Sequence, residues 1–290
     1  LREVTGFSTF ILLIDLANKL NYSTDSIVIG AFMGTVAIAV WAVAQRLIDA
    51  VQTMTGQLNG AMFPIVVDTA TLGQADRLQR LFLQGTRISL AMVIPLATGL
   101  SLLAEPLVMA WVGPDFAGSV PVIYILAAAV SIRVGNSTAT TLLKGSGQHR
   151  LLAGSNLLIA LANIALSIAL VRRLGLVGVA LGTFVALLVV SSLVLFPAAC
   201  RRVRLSIREA LTAAVWPALW PAIVMASFLA ITRNFLNVNL AAIALQAMIA
   251  GLIYLAIFFT LAIGHDERQW YTTKLRELLK RTSAVNAVSG

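Results

Sequence analysis

The 290-residue chain is 59% hydrophobic and only 11% charged, and it carries a formal net charge of +9. A soluble domain uses about 25% charged residues to cover its surface, so this composition excludes an ordinary water-soluble fold and predicts a chain that lies in lipid. The basic excess therefore indicates an anionic membrane surface as partner, and not nucleic acid.

Apolar stretches long enough to cross a membrane recur eight times. A bilayer core of about 30 Å requires roughly 20 mostly apolar residues in a helix. The predicted spans are approximately 7–30, 35–66, 88–112, 119–143, 151–171, 175–199, 211–232 and 239–263. The second is too long for one straight crossing, and we expect it to leave the bilayer near Phe63 and Pro64. The predicted fold class is all-α, a polytopic transmembrane helix bundle over residues 1–263.

Two polar segments are expected on the membrane surface. The longest polar stretch within the bundle, about residues 68–87, predicts an amphipathic segment. After Gly264, apolar positions share one helical face and basic residues surround it. This pattern predicts a cytoplasmic, basic amphipathic tail over residues 264–290 that binds anionic lipid.

The orientation follows from the basic residues between the spans. One side of the predicted bundle receives most of the lysines and arginines, and the other receives only Arg172, Arg173 and Arg233. Cytoplasmic loops carry the excess of Lys and Arg, so both chain ends are predicted to be cytoplasmic. The chain begins at Leu1 and is expected to be truncated.

Three cations fall within predicted spans: Lys19, Arg46 and Arg133. At about 1.5 Å per residue, each lies near the bilayer midplane. A charge at that depth costs about 2.5–3.5 kcal/mol on insertion scales, so it is expected to face protein or water. The three cations predict a polar chamber that receives an anionic substrate.

Acidic residues near these cations leave a second interpretation open. Asp15 and Lys19 are spaced i,i+4, and Arg46 and Asp49 are spaced i,i+3, so each pair is able to neutralise itself on one helix face. Structural pairing and substrate contact stay equally open for both pairs.

Arg133 is the main candidate for substrate contact. It has no acidic residue within four positions, so its partner is expected on another helix, in a missing segment or in the substrate. Asp25 has two interpretations: it neutralises Arg133 or another cation across the bundle, or it takes part in coupling to an ion gradient.

The sequence contains no recognisable enzymatic or metal site. GxSxG, P-loop and HExxH motifs are lacking, and no loop carries a plausible carboxylate pair. His149 and His265 stand alone, and the single Cys200 excludes an internal disulfide and is expected to be a small apolar filler. We therefore predict no catalysis, cofactor or metal.

Three pairs of glycines have the i,i+4 spacing that allows close contact between helices in a membrane. They are Gly30 and Gly34, Gly56 and Gly60, and Gly178 and Gly182.

The string that begins at Asp25, DSIVIGAFMGTVAIAVWAVAQRL, resembles the seventh and eighth helices of polysaccharide flippases in the multidrug/oligosaccharidyl-lipid/polysaccharide exporter superfamily. The resemblance lies in an acidic residue, an Ile-Gly pair, a glycine and an aromatic-x-x-Ala-x-Arg run, present as Asp25, Ile29-Gly30, Gly34, Trp41, Ala44 and Arg46. Trp41 stands where tyrosine is commoner. MFPIVVD (62–68), LLKGSGQHR (142–150) and LGLVGVALGT (174–183) are similar to later landmarks in the expected order.

This resemblance implies helices seven to fourteen of a two-lobed transporter like the multidrug exporters, without the first six. It also implies translocation of an undecaprenyl-pyrophosphate-linked oligosaccharide across the bacterial inner membrane for O-antigen, capsule or exopolysaccharide assembly. The implied partners are membrane lipid, the lipid-linked pyrophosphate, a polysaccharide polymerase and a chain-length regulator. Two alternatives stay open: a multidrug or organic-cation antiporter of the same superfamily, and an inactive truncated membrane subunit.

Overall fold

The computed structural model describes residues 24–233 and 239–262. Within these ranges the chain is helical apart from short turns and contains no strand, which confirms the all-α fold class. The helices are α1 (Thr24–Met33), α2 (Thr35–Thr71), α3 (Ala75–Trp111), α4 (Ser119–Gly135), α5 (Ser137–Gly145), α6 (His149–Arg202), α7 (Ile207–Thr232) and α8 (Leu240–Leu261). The predicted amphipathic tail over residues 264–290 lies outside the described part.

Six helical segments of the described chain are long and apolar enough to cross a bilayer. They are Thr35–Gly56, Ala75–Trp111, Ser119–Gly145, His149–Arg202, Ile207–Thr232 and Leu240–Leu261. α6 alone covers two predicted spans, 151–171 and 175–199, and α1 is the described end of the first. The chain is therefore a multi-pass membrane protein, with a helix count close to the prediction.

The connection between α2 and α3 lies within the predicted amphipathic segment, residues 68–87. α2 continues through Pro64 to Thr71, and α3 begins at Ala75 and runs without interruption to Trp111. Residues 68–87 are the end of α2, a short turn and the first turns of α3, and their predicted place on the membrane surface stays a prediction. The turn contains Gly73, whose φ of 66° is a left-handed conformation that glycine adopts without steric cost.

α6 folds back on itself at Gly175, where φ is 59° and ψ is −135°. We call residues 149–174 its first arm and residues 176–202 its second arm. A Cβ added to Gly178 would lie 2.5 Å from the Leu170 carbonyl oxygen, and one added to Gly182 would lie 2.5 Å from Ser167 Oγ. The two arms therefore pack against each other along the glycines, and the close contact predicted for this pair is confirmed.

The other two glycine pairs behave differently. No described atom lies within 4 Å of a Cβ added to Gly56 or Gly60, so the close contact predicted for that pair is not made among the described residues. Gly34 forms the break between α1 and α2, with φ of 85°, and a Cβ added to Gly30 would lie 3.0 Å from the Ile38 side chain. The i,i+4 spacing alone does not say which glycines face another helix.

α3 lies at the centre of the described bundle, where it contacts α2, α4, α7 and α8. The main core forms around fully buried side chains such as Ile29, Trp41 and Ile123. A second core cluster joins α3, α5 and the end of α6, and it includes Phe82, Leu142 and the buried Cys200. Large apolar side chains on the outer surface suit a bundle with lipid around it.

Candidate functional site

A buried polar cluster joins α1 to both arms of α6. Asp25 Oδ1 accepts a hydrogen bond from Asn163 Nδ2 at 3.1 Å, and Thr183 Oγ1 donates to Asp25 Oδ2 at 3.0 Å. Ser167 Oγ donates to Asn163 Oδ1 at 3.1 Å. All four residues are buried, so the cluster is enclosed by protein.

The glycines of α6 explain why this cluster forms. Asn163 and Ser167 lie one turn apart on the first arm, and Gly182 and Thr183 lie opposite them on the second. Because glycine lacks a side chain, the arms approach closely enough for hydroxyl and amide groups to meet. The sequence prediction included Asp25 but missed Asn163, Ser167 and Thr183. The sequence did carry one signal for this cluster: Asn163 and Ser167 are polar residues spaced four apart in an otherwise apolar helix.

The cluster offers an oxygen-rich environment. Besides the Asp25 carboxylate it contains Asn163 Oδ1, two hydroxyls and the Val179 carbonyl oxygen, which lies 3.4 Å from both Ser167 Oγ and Thr183 Oγ1. Carboxylate, carbonyl and hydroxyl oxygens are ligands that hard cations prefer. With a single carboxylate, the set suits a monovalent cation or a proton better than a divalent ion.

Arg133 lies beside this cluster. A small cavity of about 30 Å³ is lined by Asp25, Thr183 and Arg133, with Gln45 and Gln52 from α2. Arg133 interacts electrostatically with Asp25. The α4 positions 126, 129, 130 and 133 share one helix face, as do the α2 positions 45, 48 and 52, so both helices direct these residues to one place. The structure thus brings together Arg133 and Asp25, whereas the two glutamines were not predicted.

The remaining predicted residues lie elsewhere. Arg46 and Asp49 are exposed on α2 and do not line this cavity. Asp49 Oδ1 accepts a hydrogen bond from Gln45 Nε2 at 2.9 Å, and no hydrogen bond or ion pair joins Arg46 to Asp49 in the described residues. Of the two interpretations left open for Arg46 and Asp49, the described structure therefore does not show the pairing on one helix face, and contact of Arg46 with the substrate stays a prediction. Lys19 and Asp15 lie outside the described residues.

Comparisons with known proteins agree with the fold and the resemblance. Residues 1–121 match a family described as "Polysaccharide biosynthesis protein". The chain is 27% identical over 143 residues to the succinoglycan biosynthesis transport protein ExoT of Rhizobium meliloti (strain 1021), which covers 48% of this chain and 28% of ExoT.

Two solved structures share the fold. The lipid II flippase MurJ in an inward closed conformation superposes with a TM-score of 0.63 at 15% identity, over 87% of this chain and 52% of MurJ. A MOP superfamily transporter from Pyrococcus furiosus superposes with a TM-score of 0.57 at 16% identity, over 87% of this chain and 61% of the transporter. The chain therefore shares the fold of MurJ and of a transporter from the multidrug/oligosaccharidyl-lipid/polysaccharide exporter (MOP) superfamily.

The resemblance to polysaccharide flippases of this superfamily, predicted from the sequence, is thereby confirmed. The chain spans about half the length of MurJ and aligns with less than a third of ExoT. These relatives are transporters and flippases, in line with the prediction that the chain is not an enzyme.

Proposed function

We propose that this chain is the C-terminal lobe of a flippase that moves undecaprenyl-pyrophosphate-linked oligosaccharides across the bacterial inner membrane. The transported repeat units would serve O-antigen, capsule or exopolysaccharide assembly. One observation carries the proposal: the Arg133 guanidinium, within a membrane-spanning segment, lines a polar cavity. The similarity to ExoT, a succinoglycan transport protein, and to MurJ, a lipid II flippase, supports the same substrate class.

The chemistry of Arg133 suits a pyrophosphate. A guanidinium stays charged at any physiological pH and offers parallel N–H donors that bind two phosphate oxygens at once. Arg46 adds an exposed cation on α2. Such charges are costly beside lipid, so we place them toward a chamber between two lobes, where transporters of this kind bind substrate.

The Asp25 cluster is the candidate binding site for a coupling ion. We propose that it binds the coupling cation, a proton or sodium, among the oxygens of Asp25, Asn163 and Thr183. Asp25 also attracts Arg133, so a cation bound at the carboxylate weakens that attraction and leaves the guanidinium available for the pyrophosphate. By linkage, the bound pyrophosphate raises the affinity for the cation by the same factor.

The test is complementation of a flippase-null strain with the full-length gene carrying Arg133→Ala or Arg133→Lys. We expect Arg133→Ala to abolish polysaccharide export and Arg133→Lys to retain part of it, because lysine keeps the charge but not the planar fork. Arg77→Ala, at an exposed position on the first turn of α3, is the matched control and should export normally. Protein abundance in the membrane fraction is measured for each variant.

Normal abundance together with wild-type export by Arg133→Ala would contradict the proposal. If Asp25→Asn abolished transport while Arg133→Ala spared it, a cation antiporter of the same superfamily would be the better assignment.

A further inference from the structure

A separate cavity lies beside the last three turns of α6, at the membrane edge that the basic residues predict to be cytoplasmic. Its volume is about 550 Å³, within the range of roughly 300–1,000 Å³ typical of ligand sites. The lining divides into an apolar wall and a basic rim. The rim consists of Arg201, Arg202 and Arg204.

The apolar wall leads along the helix into the rim. Leu193, Pro197 and Arg201 are spaced four residues apart and lie on one helix face, and positions 194, 198 and 202 repeat the pattern. Eight residues of helix span about 12 Å. Leu151 from the first arm adds to the wall, and Leu193 is 72% exposed. This apolar wall is exposed at Leu193 and ends at the guanidinium groups of the rim.

The rim carries positive charge without a neighbouring carboxylate. All three arginines are exposed, and none of the described residues that line the cavity is acidic. The nearest acid in the sequence, Glu209, accepts hydrogen bonds from the Ser206 hydroxyl at 2.8 Å and the Ser206 backbone N–H at 3.0 Å. Three cations within four residues repel one another, so an anion held among them would stabilise this end of α6.

Arg204 occupies an unfavourable backbone conformation. Its φ of 56° is the only positive value at a non-glycine among the described residues. Its N–H donates to the Arg201 carbonyl at 3.2 Å, and the Leu205 N–H donates to the Cys200 carbonyl at 2.9 Å, a helix end that usually contains glycine. The chain keeps an arginine where glycine would be less strained, and that arginine lines the cavity.

We propose that this cavity binds one anionic phospholipid of the surrounding leaflet. The guanidinium groups hold its phosphate, since arginine binds phosphate oxygens in pairs, and one acyl chain lies along the apolar wall. Basic pockets between membrane helices on the cytoplasmic side suit such headgroups. The inference concerns lipid binding alone and does not depend on the transport proposal.

The test is native mass spectrometry of the purified 290-residue chain, titrated with three probes. Dioleoylphosphatidylglycerol supplies both the anionic headgroup and the chains, dioleoylphosphatidylcholine keeps the chains without net charge, and glycerophosphoglycerol keeps the headgroup alone. We expect one tightly retained phosphatidylglycerol per chain, with an affinity at least about tenfold above that for phosphatidylcholine. Glycerophosphoglycerol should not bind measurably.

Variants locate the site. The triple change Arg201→Gln, Arg202→Gln and Arg204→Gln should lower phosphatidylglycerol affinity at least about tenfold. Arg77→Gln with Arg80→Gln removes exposed charge from the same predicted membrane side, outside the cavity, and should leave affinity within about twofold. All five side chains are exposed, so folding should be retained, with helicity by circular dichroism as the check.

The apolar wall has its own variant, Leu193→Asn, which keeps every charge. It should lower phosphatidylglycerol affinity through the acyl chain. Wild-type affinity in the triple variant would overturn the proposal, as would an equal loss in the Arg77 and Arg80 control. Equal binding of glycerophosphoglycerol would identify a free-phosphate site, and equal binding of phosphatidylcholine would identify nonspecific lipid contact; either overturns it.

Discussion

Asp25 on α1 and Thr183 on the second arm of α6 are 158 positions apart in the sequence and are joined by a hydrogen bond of 3.0 Å. The bond brings a carboxylate from the start of the described chain into a polar cluster built by a helical hairpin. Asn163 adds a second bond to the same carboxylate. These two hydrogen bonds attach α1 to both arms of α6.

Asp25→Asn tests the proposed coupling role. The amide keeps the size of the side chain but removes the negative charge, so we expect export to fall by at least about tenfold, equivalent to about 1.4 kcal/mol, with normal protein abundance. Asp68→Asn, at an exposed position near the end of α2, is the control and should export normally. Unchanged export and unchanged dependence on the ion gradient in Asp25→Asn would exclude coupling through this residue.

Gly182→Ala tests the close contact between the two arms of α6. The added methyl group would lie 2.5 Å from Ser167 Oγ and 2.8 Å from the Ser167 backbone nitrogen, so the arms must separate. Overpacking of this kind costs about 1–3 kcal/mol, which should lower the melting temperature in detergent. Gly56→Ala, which meets no described atom within 4 Å, should be neutral or slightly stabilising. Equal melting temperatures for the two variants would argue against close packing of the two arms.

Tyr254→Phe tests the attachment of α8 to α7. The fully buried Tyr254 hydroxyl donates to the Ala218 carbonyl oxygen at 2.8 Å. Its loss leaves a buried carbonyl without that donor and should cost about 1–3 kcal/mol. Tyr124→Phe removes a hydroxyl from a side chain that is 45% exposed and should change stability by less than about 0.5 kcal/mol. Thermal unfolding in detergent compares the two, and matching losses would contradict a special role for the Tyr254 bond.

Single cysteines test the predicted orientation. In a Cys200→Ala background, Asp115→Cys should react in intact cells with a membrane-impermeant maleimide that has crossed the outer membrane. Arg77→Cys should react only after lysis, because the basic side is expected to be cytoplasmic. Both positions are exposed, so access is set by the membrane. The reverse labelling pattern would invert the topology and place the basic cavity of α6 on the outer side.

The transmembrane architecture was predictable because hydrophobic length depends on local sequence alone. The residues around Asp25 were not, because Asn163 and Thr183 meet only through the reversal at Gly175, and nothing local specifies which helix faces combine. The i,i+3 spacing of Arg46 and Asp49 suggested a pair, yet Gln45 at i,i+4 from Asp49 reaches the carboxylate. Spacing identified candidates, and side-chain geometry decided between them.

The reversal of α6 at Gly175 has a consequence for how the protein enters the membrane. Asp25 is synthesised long before Asn163 and Thr183, so during synthesis its carboxylate has neither of the two hydrogen bonds that it accepts in the folded bundle. A carboxylate without hydrogen-bond partners is costly in a helix that is inserted in a membrane. Stable insertion of α1 should therefore wait until the second arm of α6 has left the ribosome, which makes the biogenesis of α1 dependent on sequence made much later.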